Sequence, residues 1–277
     1  MVKQWPVVSV AGVGLIGGSF ALALRQAGFT GKIIGVSSSA TVRAALARGV
    51  IDEALPLAEA AAQSDVVYLA QPIEKILKTL DVIDALVRPG TLITDAGSTK
   101  LTIVERAAAK IKRGRFVGGH PMAGKETRGV EAAEATLFRG WPYVLTSPDP
   151  ELEAWIDKIG AKLVRLDPAE HDRWVALVSH LPQLISTALA SLIGDQPETA
   201  LVAGPSAAGL TRLALSPFDI WRDIFSTNAA AIDGALGAFI ARLEELRAAL
   251  REPQPGAQLK NAFERAAQAA SNLRQSR

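Results

Sequence analysis

The sequence predicts an α/β fold: an N-terminal Rossmann-type, doubly wound sheet followed by an all-α C-terminal domain. Three observations predict it. Short β-branched runs alternate with helical patterns through the first half, a glycine-rich turn joins the first strand to the first helix, and no convincing strand follows Asp167–Pro168. A strand–helix–strand series of this kind builds a parallel sheet with helices on both faces. At 277 residues the chain has room for about two domains, and their boundaries read as 1–167 and 168–277.

Taken in order, Pro6–Ala11, Lys32–Val36, Asp65–Ala70, Thr91–Asp95 and Phe116–Gly118 read as strands. The third and fourth are continuous apolar runs rather than alternating ones, as strands buried on both faces require. Helical patterns lie between them near Gly17–Ala27, Ala40–Arg48, Ile73–Leu86 and Lys100–Lys112. Tyr143–Thr146 and Lys162–Leu166 read as two further strands that complete the sheet. From Ala169 onward the pattern is long and Ala/Leu-rich. Ile232, Leu236, Phe239, Ile240, Leu243, Leu246 and Leu250 share one helical stripe, which suits either a core face or a dimer seam. Glu252–Gly256 interrupts that helix before a last one.

Composition excludes several classes. With 49% hydrophobic and 21% charged residues the chain is globular, and a net charge of +2 leaves no nucleic-acid footprint. The absence of cysteine excludes disulfides, thiolate metal sites and a cysteine nucleophile, and suits the cytoplasm. Three histidines are too few for a histidine metal cluster unless nearly all take part, so no metal is expected. Two uncharged stretches imitate membrane or export signals. Val7–Leu24 holds four glycines and no cleavage site, and Trp174–Gly194 contains His180, Pro182 and Gln183. The second reads as a buried core helix.

The glycine turn runs Gly12-Val13-Gly14-Leu15-Ile16-Gly17. Gly12 permits the tight turn, Gly14 lets backbone approach a pyrophosphate, and Gly17 lets helix pack on strand, while the helix N-terminus offers unpaired N–H groups. Leu15 and Ile16 belong to the same cofactor-binding turn. At the end of the second strand an NAD site usually places a carboxylate for the ribose 2′-OH. Here stand Ser37, Ser38 and Ser39, with Arg43 a turn further on, so the sequence leans towards NADP, with NAD the less favoured cofactor.

Ligands of such sheets bind beyond the carboxyl ends of the strands. The segments there are Gln71-Pro72, Asp95-Ala96-Gly97-Ser98-Thr99-Lys100 and Gly118-Gly119-His120-Pro121, all expected to face the nicotinamide. His120 reads as a loop residue able to take a proton near neutral pH, with Ser98 placed to orient it or to contact substrate. His171 reads as a helix-start or domain-contact residue rather than a catalyst.

The GxGLIGGS turn, DAGSTK, GGHPMAGKETRGVEAA, SHLPQ and WRDIF follow in the order found in the prephenate/arogenate dehydrogenases of tyrosine biosynthesis, and the chain resembles that family from about Val7 to Leu250. The resemblance implies an NAD(P)-binding domain and a helical substrate and dimerisation domain that makes a homodimer. It implies oxidative decarboxylation of a cyclohexadienyl substrate, prephenate, arogenate or both. By motif, His120 matches the catalytic histidine that bonds the C4 hydroxyl, and Ser98 the serine beside that hydroxyl and the nicotinamide. His180 matches a second histidine at the domain junction, Arg212 the arginine that binds a substrate carboxylate, and Glu126 and Trp221 residues that line or gate the pocket. Core or surface roles remain open for His180, Glu126 and Trp221. The chain departs from the family at Ser206-Ala207-Ala208-Gly209-Leu210, where Ala208 replaces a basic residue, which leaves side-chain specificity open. Two other readings stand beside this one: a β-hydroxyacid or imine dehydrogenase, and a non-catalytic dinucleotide sensor.

Overall fold

The computed structural model describes residues 5–125, 127–251 and 256–275. Six strands, β1 (Val7–Ala11), β2 (Lys32–Val36), β3 (Glu53–Ala54), β4 (Val66–Leu69), β5 (Leu92–Asp95) and β6 (Arg115–Val117), form one parallel sheet in the order β3-β2-β1-β4-β5-β6. The order reverses between β1 and β4, and at that switch point a crevice opens beyond the carboxyl ends of the strands. The crossovers are α1 (Leu15–Gln26), α2 (Ser39–Ala47), α3 (Leu57–Gln63), α4 (Ile73–Leu86) and α5 (Leu101–Lys110). Every residue of β4 and β5 is buried, as the continuous apolar runs require, and Phe20 of α1 stacks on Tyr68 of β4 at 4.0 Å.

The last two expected strands do not complete this sheet. β8 (Pro142–Leu145) and β9 (Lys162–Arg165) join β7 (Gly119–Pro121) in a separate three-stranded sheet, β7-β8-β9, in which β7 is antiparallel to β8 and β8 parallel to β9. Only Gly118 separates β6 from β7. A parallel neighbour needs a crossover of about a dozen residues, so β7 leaves the first sheet and seeds a second. The helix α6 (Pro150–Lys158) connects β8 to β9.

Beyond β9 the described chain is helical: α7 (Pro168–Val175), a π-helical turn (Ala176–His180), α8 (Leu181–Gly194), α9 (Pro205–Thr211), α10 (Phe218–Ala249) and α11 (Ala257–Gln275), with short 3-10 turns between. The π-turn sits where Pro182 displaces the carbonyl four residues back, at Val178. The chain forms two compact units. The first runs to Val175 and takes in Leu215–Asn228; the second comprises Ala176–Ala214 and the chain from Ala229 onward. The later of these passages falls at a kink in α10, where Asn228 leaves helical geometry with φ −136°.

Trp174–Gly194 is not the buried core helix its composition suggests. Trp174, Leu177, Val178 and Leu192 are all more than half exposed. The expected stripe on α10 behaves alike: Ile232 is buried, whereas Ile240, Leu243 and Leu250 are exposed. Pro168–Gly194 and Phe218–Ala249 are long and apolar enough to cross a membrane by length and composition alone. An apolar face that one chain leaves uncovered is a surface for another. Of the break expected at Glu252–Gly256, Glu252–Pro255 lie outside the described residues, and so does Glu126.

Candidate active site

The glycine turn has the geometry its spacing requires. Gly12 adopts φ +95°, and a Cβ there would lie 2.2 Å from the Ala70 carbonyl oxygen. A Cβ on Gly17 would lie 2.1 Å from the Gly12 carbonyl oxygen. Gly14 differs, since a Cβ on it meets nothing within 4 Å. The fold itself therefore demands two of the glycines, and the third leaves open space beside the first turn of α1. Gly14 caps that helix without a side-chain hydrogen bond, and no acidic residue stands in its first turn. Unpaired N–H groups at a helix N-terminus, with room in front of them, fit a pyrophosphate.

At the carboxyl end of β2, Ser37, Ser38, Ser39 and Arg43 are all exposed. The Ser38 hydroxyl is committed to capping α2, where it accepts from the Thr41 N–H at 3.4 Å. Ser37, Ser39 and Arg43 remain facing solvent. The rim at the end of β2 thus carries hydroxyls and a guanidinium.

A cavity of about 310 Å³ opens beside the turn and gathers Ile16, Gln71, Pro72 and Ser98, with Asp223 and Ile224 on its far wall. Gln71 is held by the Thr79 hydroxyl, which donates to its Oε1 at 2.9 Å, and Asp223 accepts from the backbone N–H of Glu74 at 3.1 Å. A second cavity of about 300 Å³ lies at the amino ends of the strands, lined by Trp5, Asp65, Arg88, Arg115 and Glu151. Its arginines are already paired, Arg88 with Asp65 at 2.9 Å and Arg115 with Glu151 at 3.2 Å. It lies at the end of the sheet remote from the glycine turn.

His120 is in a strand, β7, not in a loop. The correction has a physical cause: a Cβ on Gly119 would lie 2.6 Å from the Asp95 carbonyl oxygen, so only glycine lets this segment run against the end of β5. Asp95 ties the two together. Its carboxylate accepts from the Gly119 N–H at 3.1 Å and from the Gly97 N–H at 2.8 Å. Lys100 pairs with Asp95 and donates to the Gly119 carbonyl at 2.7 Å. Both side chains are fully buried, and burial pushes the Lys100 ammonium below the usual lysine range while Asp95 pulls the other way. Removing one partner of such a pair strands the other charge. Asp95 and Lys100 thus fix the Ser98 loop and the His120 strand together, a role the sequence reading gave to neither.

His171 and Asp172 are the other residues it missed. The His120 Nδ1 and the His171 Nε2 lie 2.8 Å apart, and the His171 Nδ1 is 2.7 Å from the Asp172 Oδ1. Asp172 also accepts from the backbone N–H groups of Lys100 at 2.7 Å and Leu101 at 2.9 Å, capping α5 from α7. His171 does open a helix, as expected, yet its side chain is buried against His120.

The remaining expected residues are dispersed. Trp221 is half-buried; its indole N–H donates to the Ser216 hydroxyl at 2.9 Å, and its ring packs 5.7 Å from Phe225. His180 and Arg212 belong to the second unit. His180 is buried at the π-turn, and Arg212 is exposed at the start of a 3-10 turn.

A pyrophosphate cradle and a buried histidine at the carboxyl ends of a doubly wound sheet define a dinucleotide-dependent dehydrogenase. Two family models together cover most of the chain: the nucleotide-binding domain of prephenate dehydrogenase matches residues 20–166, and its dimerisation domain matches residues 167–265. The prephenate dehydrogenase of Lactococcus lactis is 36% identical over 249 residues, covering 86% of this chain and 70% of that one. Among solved structures, the prephenate dehydrogenase of Aquifex aeolicus in complex with hydroxyphenyl propionate and NAD⁺ aligns with a TM-score of 0.82 at 28% identity, over 99% of this chain and 97% of that one. Synechocystis arogenate dehydrogenase aligns with a TM-score of 0.80 at 30% identity, over 97% and 99%. The chain belongs to the prephenate dehydrogenase family, oxidoreductases with prephenate/arogenate (cyclohexadienyl) dehydrogenase activity in tyrosine biosynthesis. That membership displaces the β-hydroxyacid and sensor readings.

Proposed function

We propose that this chain oxidatively decarboxylates prephenate, arogenate or both, using NADP in preference to NAD, with His120 as proton acceptor. The observation that carries the reading is His120 itself: a buried imidazole pinned by its Nδ1, on a strand locked to the serine loop that lines the cofactor-side cavity. A bound nicotinamide would supply the acceptor for the hydride of ring C4. As that hydride leaves, C4 becomes a carbonyl carbon, so the hydroxyl proton must move; His120 accepts it, a step worth about 10²–10⁴ in rate. The bond from C1 to its carboxylate then breaks, carbon dioxide leaves, and the electron pair makes the ring aromatic. His120 returns the proton to the same oxygen, which becomes the phenol. Ser98 orients the hydroxyl, and Gln71 and Pro72, which line the same cavity, face the nicotinamide. Arg212 takes a substrate carboxylate through a charge-assisted pair. His180, Glu126 and Trp221 have pocket roles supported by motif alone.

The NADP preference rests on Ser37, Ser39 and Arg43, exposed at the end of β2 where a carboxylate would repel the 2′-phosphate. The working form is a homodimer through the helical domain, acting in the cytoplasm on a small molecule, with no nucleic acid or membrane partner. The apolar faces left open on α8 and α10 support the first point, and the cysteine-free composition supports the second. The test is absorbance at the reduced-nicotinamide band over a grid of prephenate or arogenate against NAD⁺ or NADP⁺. A signal strongest with NADP⁺ is expected. Turnover only with NAD⁺ would overturn the cofactor reading, and silence throughout from folded, cofactor-binding protein would overturn the reaction.

A further inference from the structure

The hydrogen-bond chain behind His120 has a direction. Both carboxylate oxygens of Asp172 accept backbone N–H groups at the start of α5, so this carboxylate is fixed as an acceptor. The His171 Nδ1, 2.7 Å away, must therefore carry a hydrogen and donate it. In neutral His171 the lone pair then lies on Nε2, and that atom is 2.8 Å from the His120 Nδ1. With His171 neutral, the complementary arrangement has the His120 Nδ1–H donating to it, which places the His120 lone pair on Nε2. The two rings are inclined at 70°, with centroids 5.1 Å apart, and the 2.8 Å approach between them is nitrogen to nitrogen. His171 is fully buried and Asp172 nearly so, so water does not compete for these bonds.

We propose that His171, anchored by Asp172, is a positioning residue that holds His120 in its Nδ1–H tautomer and so presents Nε2 as the proton acceptor. This rests on the reading of His120 as that acceptor. When the C4 hydroxyl proton reaches Nε2, His120 becomes an imidazolium whose Nδ1–H bond to His171 strengthens. Asp172 supports the charge through the second ring, and the proton leaves by the path it came. Where a histidine base in an unrelated enzyme loses its tautomer-setting partner, turnover falls about 10⁴-fold with geometry intact.

The chain has three histidines, so nitrogen-15 labelling of histidine alone gives a spectrum in which protonated and unprotonated ring nitrogens can be assigned one by one. Wild-type protein is expected to show His120 and His171 both protonated on Nδ1. His171→Leu removes the acceptor. The His120 proton is then expected to redistribute towards Nε2, and kcat to fall about 10²–10³-fold while KM and the cofactor dissociation constant stay within about threefold. His171→Gln restores a carbonyl acceptor near the lost Nε2. It is expected to keep the Nδ1–H tautomer and recover at least about tenfold of the lost turnover. If the leucine variant does not fold, the wild-type spectrum and the glutamine variant decide. His120 protonated on Nε2 in the wild type, or a His171→Leu enzyme with unchanged kcat, would overturn the proposal. The spectrum reads the tautomer whether or not His120 is the base. Loss of the base reading would appear separately, as full turnover in His120→Asn.

Discussion

The two units of this chain solve the problem of burying apolar surface in different ways. In the first, the strands are shut on both faces by the chain's own helices: Val8, Val66 and Leu92 are fully buried, and the aromatic rings of Phe20, Tyr68 and Trp155 have no exposed surface. In the second, Leu201 is 90% exposed, Val202 86% and Phe263 73%. A parallel sheet with crossover helices closes within one chain, because each crossover returns to cover the strands it joins. Helices strung together by short turns cover only one stripe each. The second unit thus carries half of a core, and the match to a dimerisation domain names where the other half comes from. The proposed roles divide the same way: the glycine turn and His120 sit in the self-sufficient unit, and Arg212 and His180 in the incomplete one.

The largest expected effect tests that division from the side of chemistry. His120→Asn should lower kcat at least about 100-fold while leaving the cofactor dissociation constant and the melting temperature near wild type. Steady-state assay with a cofactor titration checks it; near-normal turnover would move the proton acceptor out of the first unit. Next comes Arg212→Gln, which should cost about 1.5–3 kcal/mol of substrate binding, roughly 10- to 150-fold in KM, with kcat less affected. An unchanged KM would send carboxylate recognition away from the second unit and undo the partition of chemistry from binding.

How legible each unit was in the sequence follows from the same contrast. Ile73–Leu86 is a helix over the very span its period marks, and Lys32–Val36 is a strand over its own. Strong periodicity and bounding turns suffice where an element's partner is nearby in the chain. The glycine turn was legible because sterics alone assign Gly12 and Gly17. Two short crossover elements escaped: β3 has only two residues, and α3 is a seven-residue, alanine-rich helix that presents no amphipathic stripe. The fate of β8 and β9 escaped as well, because sheet membership depends on which edge a strand finds and not on its composition. Within the candidate site, His120 and Ser98 were singled out by their position after strands. Asp95, Lys100, His171 and Asp172 were not, since their roles lie in hydrogen bonds between segments up to 72 residues apart in the sequence, the separation of Lys100 and Asp172. The burial of Trp174–Gly194 was misread because composition reports that a helix wants cover without reporting which chain supplies it.

That last point yields the smallest effect and the sharpest version of the comparison. Leu46 on α2 and Leu243 on α10 are almost equally exposed, 42% and 48%. If surface exposure were their whole environment, aspartate would be tolerated equally at both. Leu46 stands alone on a sheet-covering helix, and Leu46→Asp should leave association and thermal stability within about 0.5 kcal/mol of wild type. Leu243 shares the α10 stripe with Ile240, which is likewise exposed, and exposed apolar surface of this kind is what a second protomer buries. Leu243→Asp should weaken self-association by about 1.5 kcal/mol or more, roughly tenfold, read by sedimentation velocity over a dilution series. Because folding of the second unit is then linked to association, the melting temperature of Leu243→Asp should lie below that of Leu46→Asp at equal protein concentration. Identical behaviour of the two variants would mean that the second unit holds its half-core without a partner, and the contrast between the units would be one of packing density only.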